Sequence, residues 1–143
     1  MKILNILLFS SLMFCANADY VQKSPNIILD TKTNFLWEDT KEVASVKRSF
    51  KDATSYCKSL DIDGVKGWEL PNMKKLFTIV DTKKYNPTID KSFKHIAPDT
   101  HWTSRLFATG GTSDAYTISF QTGSFFRRNI EDKYYLRCVK EIK

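Results

Sequence analysis

Two thiols, two imidazoles and a run of guanidinium groups are the side chains of this 143-residue chain with chemistry to offer. Of three cysteines, Cys15 falls in an apolar N-terminal stretch, which leaves Cys57 and Cys138. An even number of cysteines in an exported chain reads as a disulfide, here closing a loop of about 80 residues. The chain-entropy model gives such a bond roughly 4.5 kcal/mol as an upper figure. The alternative is two buried free thiols. Neither cysteine reads as a nucleophile, because a reactive thiolate wants a basic or helix-N-terminal setting. Cys57 lies well inside a helical pattern and Cys138 in a strand-like one, although Arg137 and Lys140 are near it in sequence. His95 and His101 show no ligand spacing with these thiols, so no metal site is expected, and both read as surface or hydrogen-bonded residues.

Asp61 and Asp63 fall in a turn-rich stretch and read as a solvated loop rather than an acid/base pair. No Ser/His/Asp order, nucleotide loop or metal motif stands out. The expectation is a chain that is not an enzyme and carries no cofactor. The basic residues near the C-terminus form the candidate ligand surface: Arg127 and Arg128 with Lys133, Arg137 and Lys140. Guanidinium groups pair with sulfate or carboxylate through two parallel hydrogen bonds. Phe125 or Phe126 would add a stacking surface, with core packing the competing role for at least one of them.

The N-terminus sets the context in which this surface works. Lys2 is followed by a mainly apolar run from Ile3 to Phe14, and Ala16-Asn17-Ala18 fits small-x-small cleavage, making residues 1–18 a signal peptide. The run is shorter than the roughly 20 apolar residues of a retained membrane helix, and no second such run follows. Lipid modification of Cys15 is the alternative, but bulky Phe14 sits where lipoprotein processing wants a small residue. Cleavage leaves residues 19–143, a common size for one domain. Only Lys2 is lost among the charged residues, so the formal net charge falls from +6 to +5. That excess favours anionic partners such as acidic glycans. Its competing role is a solvated basic surface, and an exported chain is not expected to meet nucleic acid. The sequence leaves the oligomeric state open, and places the protein in the periplasm or outside the cell.

The elements that position these residues follow from periodicity. Asn26 to Leu29 and Phe35 to Trp37 read as a hairpin around Asp30 to Asn34, with Asn34 suited to a left-handed turn position. Glu38 to Arg48 reads as a loop. Ser49 is a helix cap, and Phe50, Ala53, Cys57 and Leu60 share one helical face, so Cys57 points inward. Asn72 caps a second helix whose Met73, Leu76, Phe77 and Val80 form a core face. Asp81 to Thr100 reads as a long irregular surface loop, and Arg105 to Asp114 as a small-residue loop. Tyr116, Ile118 and Phe120 alternate with Thr117 and Ser119 as a half-buried strand. A tight turn at Gln121 to Gly123 leads into Ser124 to Arg128, and a last strand spans Tyr134 to Val139.

Taken in order, several of these segments resemble the Lcl C-terminal domain family, named for the Legionella collagen-like adhesin. They are Asp30 to Trp37, Ala53 to Leu60, Gly67-Trp68-Glu69-Leu70-Pro71-Asn72, His101-Trp102-Thr103-Ser104, Ala115 to Phe120 with Gly123, and Leu136 to Lys140. Asn34 stands where the family usually carries glycine, and Glu69 where it often carries arginine. The resemblance implies an α+β, C-type-lectin-like domain: a twisted antiparallel sheet, two helices, long loops and one disulfide from the first helix to the final strand. It also implies an adhesion or recognition role toward sulfated glycans. The related formylglycine-generating enzymes use paired cysteines for copper and oxygen chemistry; here both are accounted for as a staple. Calcium-dependent sugar binding is disfavoured, because Leu70-Pro71-Asn72 lacks the preceding acid and no Trp-Asn-Asp run occurs. A structural part in an envelope assembly, with an envelope protein as partner, is the other role open to such a domain.

Overall fold

The computed structural model describes residues 19–109 and 112–143; the predicted signal peptide, its Cys15 and the cleavage point after Ala18 lie outside them. The first sheet is an antiparallel meander of β1 (Tyr20–Ser24), β2 (Ile27–Asp30) and β3 (Phe35–Glu38), closed by β7 (Val139–Glu141) beside β3. The β2–β3 turn has a local cause. Asp30 Oδ1 accepts the Lys32 N–H at 2.9 Å, and Asn34 adopts φ 58°, a left-handed conformation that asparagine tolerates better than most residues. β1 was not legible because its three central residues are exposed, so no alternation marks it.

The stretch expected to be a loop after Glu38 contains α1 (Lys41–Ser45), which buries only Val43. One buried residue in five leaves no helical period to read. α2 (Phe50–Ser59) forms as predicted, with Ser49 Oγ accepting the Asp52 N–H at 3.3 Å and Ala53 and Cys57 buried. α3 (Met73–Phe77) is capped by Asn72, whose Oδ1 accepts the Lys75 N–H at 2.8 Å. Its inward face is narrower than expected: Leu76 is buried, but Phe77 is exposed, because the helix ends after five residues and presents one turn to the core.

The second sheet runs β4 (Thr100–Thr109), β5 (Thr112–Ser119) and β6 (Phe125–Asn129), all antiparallel. The segment Arg105 to Asp114, expected to be a loop, is therefore largely strand. Thr109 pairs with Thr112, so β4 and β5 are separated by only two residues. Thr117 and Ser119 are buried along with Ile118, so this end of β5 is covered on both faces rather than half-buried. The predicted last strand also shifts. Tyr134 and Tyr135 make single bridges, and regular pairing starts only at Val139, one residue after Cys138.

Two apolar clusters hold the sheets together. One gathers Ala53 and Cys57 of α2 with Trp68, Trp102, Ala115 and Leu136. The other gathers Trp37, Leu76, Ile79, Phe93, Ile118 and Phe120. Trp102 is fully buried, packs edge-on to Phe50 at 5.8 Å and to Tyr134 at 5.1 Å, and donates Nε1–H to the Arg48 carbonyl at 2.8 Å. The predicted surface loop, residues 81–100, is irregular but not superficial. Ile89 and Phe93 enter the second cluster. Thr88 donates both N–H and Oγ1–H to the Phe120 carbonyl, at 2.7 and 3.0 Å. The fold is thus α+β and antiparallel, with a disulfide, as expected; among the described residues its strands form two sheets and its helices are three short ones.

Candidate functional site

The thiols come together as a structural bond. Cys57 on α2 and Cys138 are joined, with Cα atoms 5.5 Å apart, and both residues are fully buried. This excludes the pair of buried free thiols. It also ties α2 to the segment entering β7, the helix-to-final-strand link that the resemblance implied.

The five basic residues expected to share a surface separate into three groups. Arg137 is not a surface residue at all: it is 1% exposed. Its Nη1 donates to the Glu38 carbonyl and to Asp39 Oδ1, and its Nη2 to the His95 carbonyl at 2.6 Å. The guanidinium also lies over the Phe93 ring at 4.8 Å. A charge can be buried only with partners of this kind, and they come from the end of β3, from Asp39 just after it and from the 81–100 segment, far away in sequence. Burial pulls the guanidinium below its usual range, against the opposing pull of Asp39. Lys140 belongs to β7 in the first sheet, where its Nζ donates to the Lys66 carbonyl at 2.6 Å. Neither residue joins a site with β6.

Arg127, Arg128 and Lys133 remain together on β6 and the turn after it. Cross-strand partners share a face of a sheet and neighbours along a strand alternate, so Arg127 and Arg128 project to opposite sides. Arg127 pairs across with Tyr116, and its guanidinium lies over the Phe107 ring at 4.3 Å. Phe107 meets Tyr116 edge-on at 6.0 Å, and Tyr116 neighbours Phe125 at 6.5 Å. Three rings and one guanidinium thus form a row on one face, with Phe125 58% exposed. Arg128 turns the other way, over Phe126 at 5.1 Å and Tyr134 at 5.9 Å. Among the described residues, Arg127, Arg128 and Lys133 form no ion pair. Arg127 is exposed, whereas Arg128 is half-buried and its Nε is shielded from solvent with no hydrogen-bond partner among the described residues.

Phe107 and Tyr116 were missed as site residues. Phe107 fell in the segment read as a loop, where Gly110-Gly111 between polar and apolar residues was the available hairpin signal. Glu69, which stands in place of the family's frequent arginine, accepts from Lys75 Nζ at 2.5 Å. That carboxylate is paired within the protein. The histidines are held by backbone: His95 Nδ1 lies 2.6 Å from the Asp39 carbonyl and His101 Nδ1 2.9 Å from the Asp99 carbonyl. Burial pushes His101 down from 6.5 to about 3, with the nearby Arg137 charge acting in the same direction. Among the described residues, no group of three or more His, Cys, Asp or Glu is arranged to hold a metal ion, and no helix is long and apolar enough to cross a membrane.

A comparison with curated proteins gives no match. The family model of the Lcl C-terminal domain matches residues 26–140, a span running from the β1–β2 turn to β7 and including every residue of the aromatic row. The chain belongs to the Lcl C-terminal domain family.

Proposed function

We propose that this protein is an exported, non-catalytic recognition domain whose outer sheet face binds an anionic glycan. The observation that carries this reading is the Arg127 guanidinium lying over Phe107 at 4.3 Å in line with Tyr116 and Phe125. Stacking fixes the plane of the guanidinium and leaves its outer N–H groups for a sulfate or carboxylate. The flanking rings offer apolar area to the C–H face of a sugar ring. Membership of an adhesin-derived family supports the role, and the buried disulfide suits an oxidising compartment. We assign the cysteines to stability because their sulfurs are bonded to each other and fully buried.

The test is the salt concentration at which the protein elutes from an immobilised sulfated glycan. Replacing Arg127 and Arg128 with serine should move elution to much lower salt. Replacing Lys32 and Lys41 should move it little; Lys32 already pairs with Asp19 at 2.9 Å. Exposed charges are screened over about 8 Å at physiological ionic strength, so any basic protein is retained somewhat, and only the difference between the two variants reports a site. Equal shifts would show diffuse charge and overturn the assignment.

A further inference from the structure

We propose that β6 is a docking edge for an extended acidic segment of a partner protein, which joins the second sheet as a fourth strand. β6 ends the strand order β4-β5-β6. In an antiparallel ladder, backbone groups point alternately toward and away from the neighbouring strand. Three bonds fix the phase here. Ser119 N–H donates to the Ser124 carbonyl at 2.8 Å, and Ile130 N–H to the Ser113 carbonyl at 3.2 Å. Between them, Thr117 Oγ1–H donates to the Phe126 carbonyl at 3.1 Å. Phe126 and Arg128 therefore turn their backbone groups to β5. Phe125 and Arg127 turn theirs outward.

Proteins usually disguise such an edge with a bulge, a proline or charge. The β1 edge of the first sheet has an irregular register between Gln22 and Ser24. The register of β6 against β5 is continuous from Phe125 to Asn129, and the strand contains no proline. Phe125 and Phe126 are exposed on opposite faces. What guards the edge is charge: Arg127 and Arg128, one on each face, with Lys133 just beyond and, among the described residues, no ion pair to any of the three. That guard repels a second copy carrying the same arginines. It complements a strand with acids beside Arg127 and Arg128 and apolar residues beside Phe125 and Phe126. Main-chain hydrogen bonds would supply affinity and alternate side chains specificity.

The probe is an end-capped peptide, Thr-Glu-Glu-Val-Val-Thr, with a Lys-Lys version as control, added to the isotope-labelled, disulfide-bonded protein. Free protein should exchange the Phe125 and Arg127 amides about tenfold or more faster than those of Phe126 and Arg128. The acidic peptide should slow the outward pair by about tenfold, and the lysine peptide should not. Phe125→Pro and Phe125→Ala both remove the ring, but only proline removes the outward N–H, which an edge strand tolerates. Peptide binding should be lost in Phe125→Pro and kept in Phe125→Ala. Both variants should elute alike from the sulfated glycan, whose proposed binding uses the Arg127 side chain, so the two proposals fail separately. Equal peptide binding by both variants would overturn the docking edge. So would equal binding of the lysine peptide, or outward amides already protected by self-association, seen as a doubled mass in sedimentation.

Discussion

Arg137 donates to Asp39 Oδ1 at 3.2 Å with both side chains only 1% exposed, and these residues stand 98 positions apart. Asp39 also accepts the backbone N–H groups of Lys94 and His95 at 2.8 and 3.0 Å. One carboxylate therefore organises β3, the irregular 81–100 segment and the approach to β7. Removing one partner of a buried pair costs about 3–5 kcal/mol, because the other charge stays buried. Arg137→Ala should lower the unfolding free energy measured by urea denaturation by an amount in that range, without lowering glycan retention of the folded protein. A stability change under about 0.5 kcal/mol, the size expected of a surface site, would contradict this assignment.

His101 should make the fold sensitive to acid. Its folded-state value of about 3 lies below the ordinary 6.5, so the unfolded chain takes up a proton first. The stabilisation is complete above pH 6.5 and is lost as pH falls toward 3, at up to about 1.4 kcal/mol per pH unit. Carboxylates titrate in the lower part of this window, so the comparison is with His101→Asn. Between pH 6.5 and 5, denaturation midpoints should fall more steeply for the wild type than for the variant. Parallel curves would remove His101 from the explanation.

The disulfide should leave no thiol to label in the denatured, unreduced protein, since Cys57 and Cys138 are bonded across a separation of 81 residues. Reduction should cost up to roughly 4.5 kcal/mol. Comparing urea midpoints with and without reductant measures that cost. Midpoints that coincide would show that the staple contributes little.

The aromatic row should matter beyond charge. Phe107→Ala keeps every arginine but removes the ring beneath Arg127, and stacking of this kind contributes about 0.5–1 kcal/mol at an exposed site. Elution from the sulfated glycan should shift to lower salt. Phe126→Ala, which removes the ring beneath Arg128 on the opposite face, should shift it less. The reverse order would move the proposed site across the sheet.

Export itself is testable by intact mass. A chain beginning at Asp19 is expected from Ala16-Asn17-Ala18. A lipid-modified N-terminus at Cys15 would show the other processing route.

What the sequence alone determined lies within single elements. Ser49 and Asn72 cap helices, Asn34 turns a hairpin and Cys57 faces inward from α2, because a capping hydroxyl or amide, a left-handed turn and a helical face each need only a few neighbouring residues. Arg127 and Arg128 were also legible as neighbours on a strand. The tertiary structure decided the rest. Nothing near Arg137 in sequence reveals Asp39, so whether that charge faces water or the core depended on a partner from another element. Phe107 became part of a site only when β4 paired with β5 and brought Tyr116 beside it. Ile89 and Phe93 carry no helical or strand period, yet the irregular segment that holds them is fastened to Phe120 and Asp39 by long-range hydrogen bonds. Local periodicity reports which face of an element is apolar; only packing selects what that face, or a charge upon it, will meet.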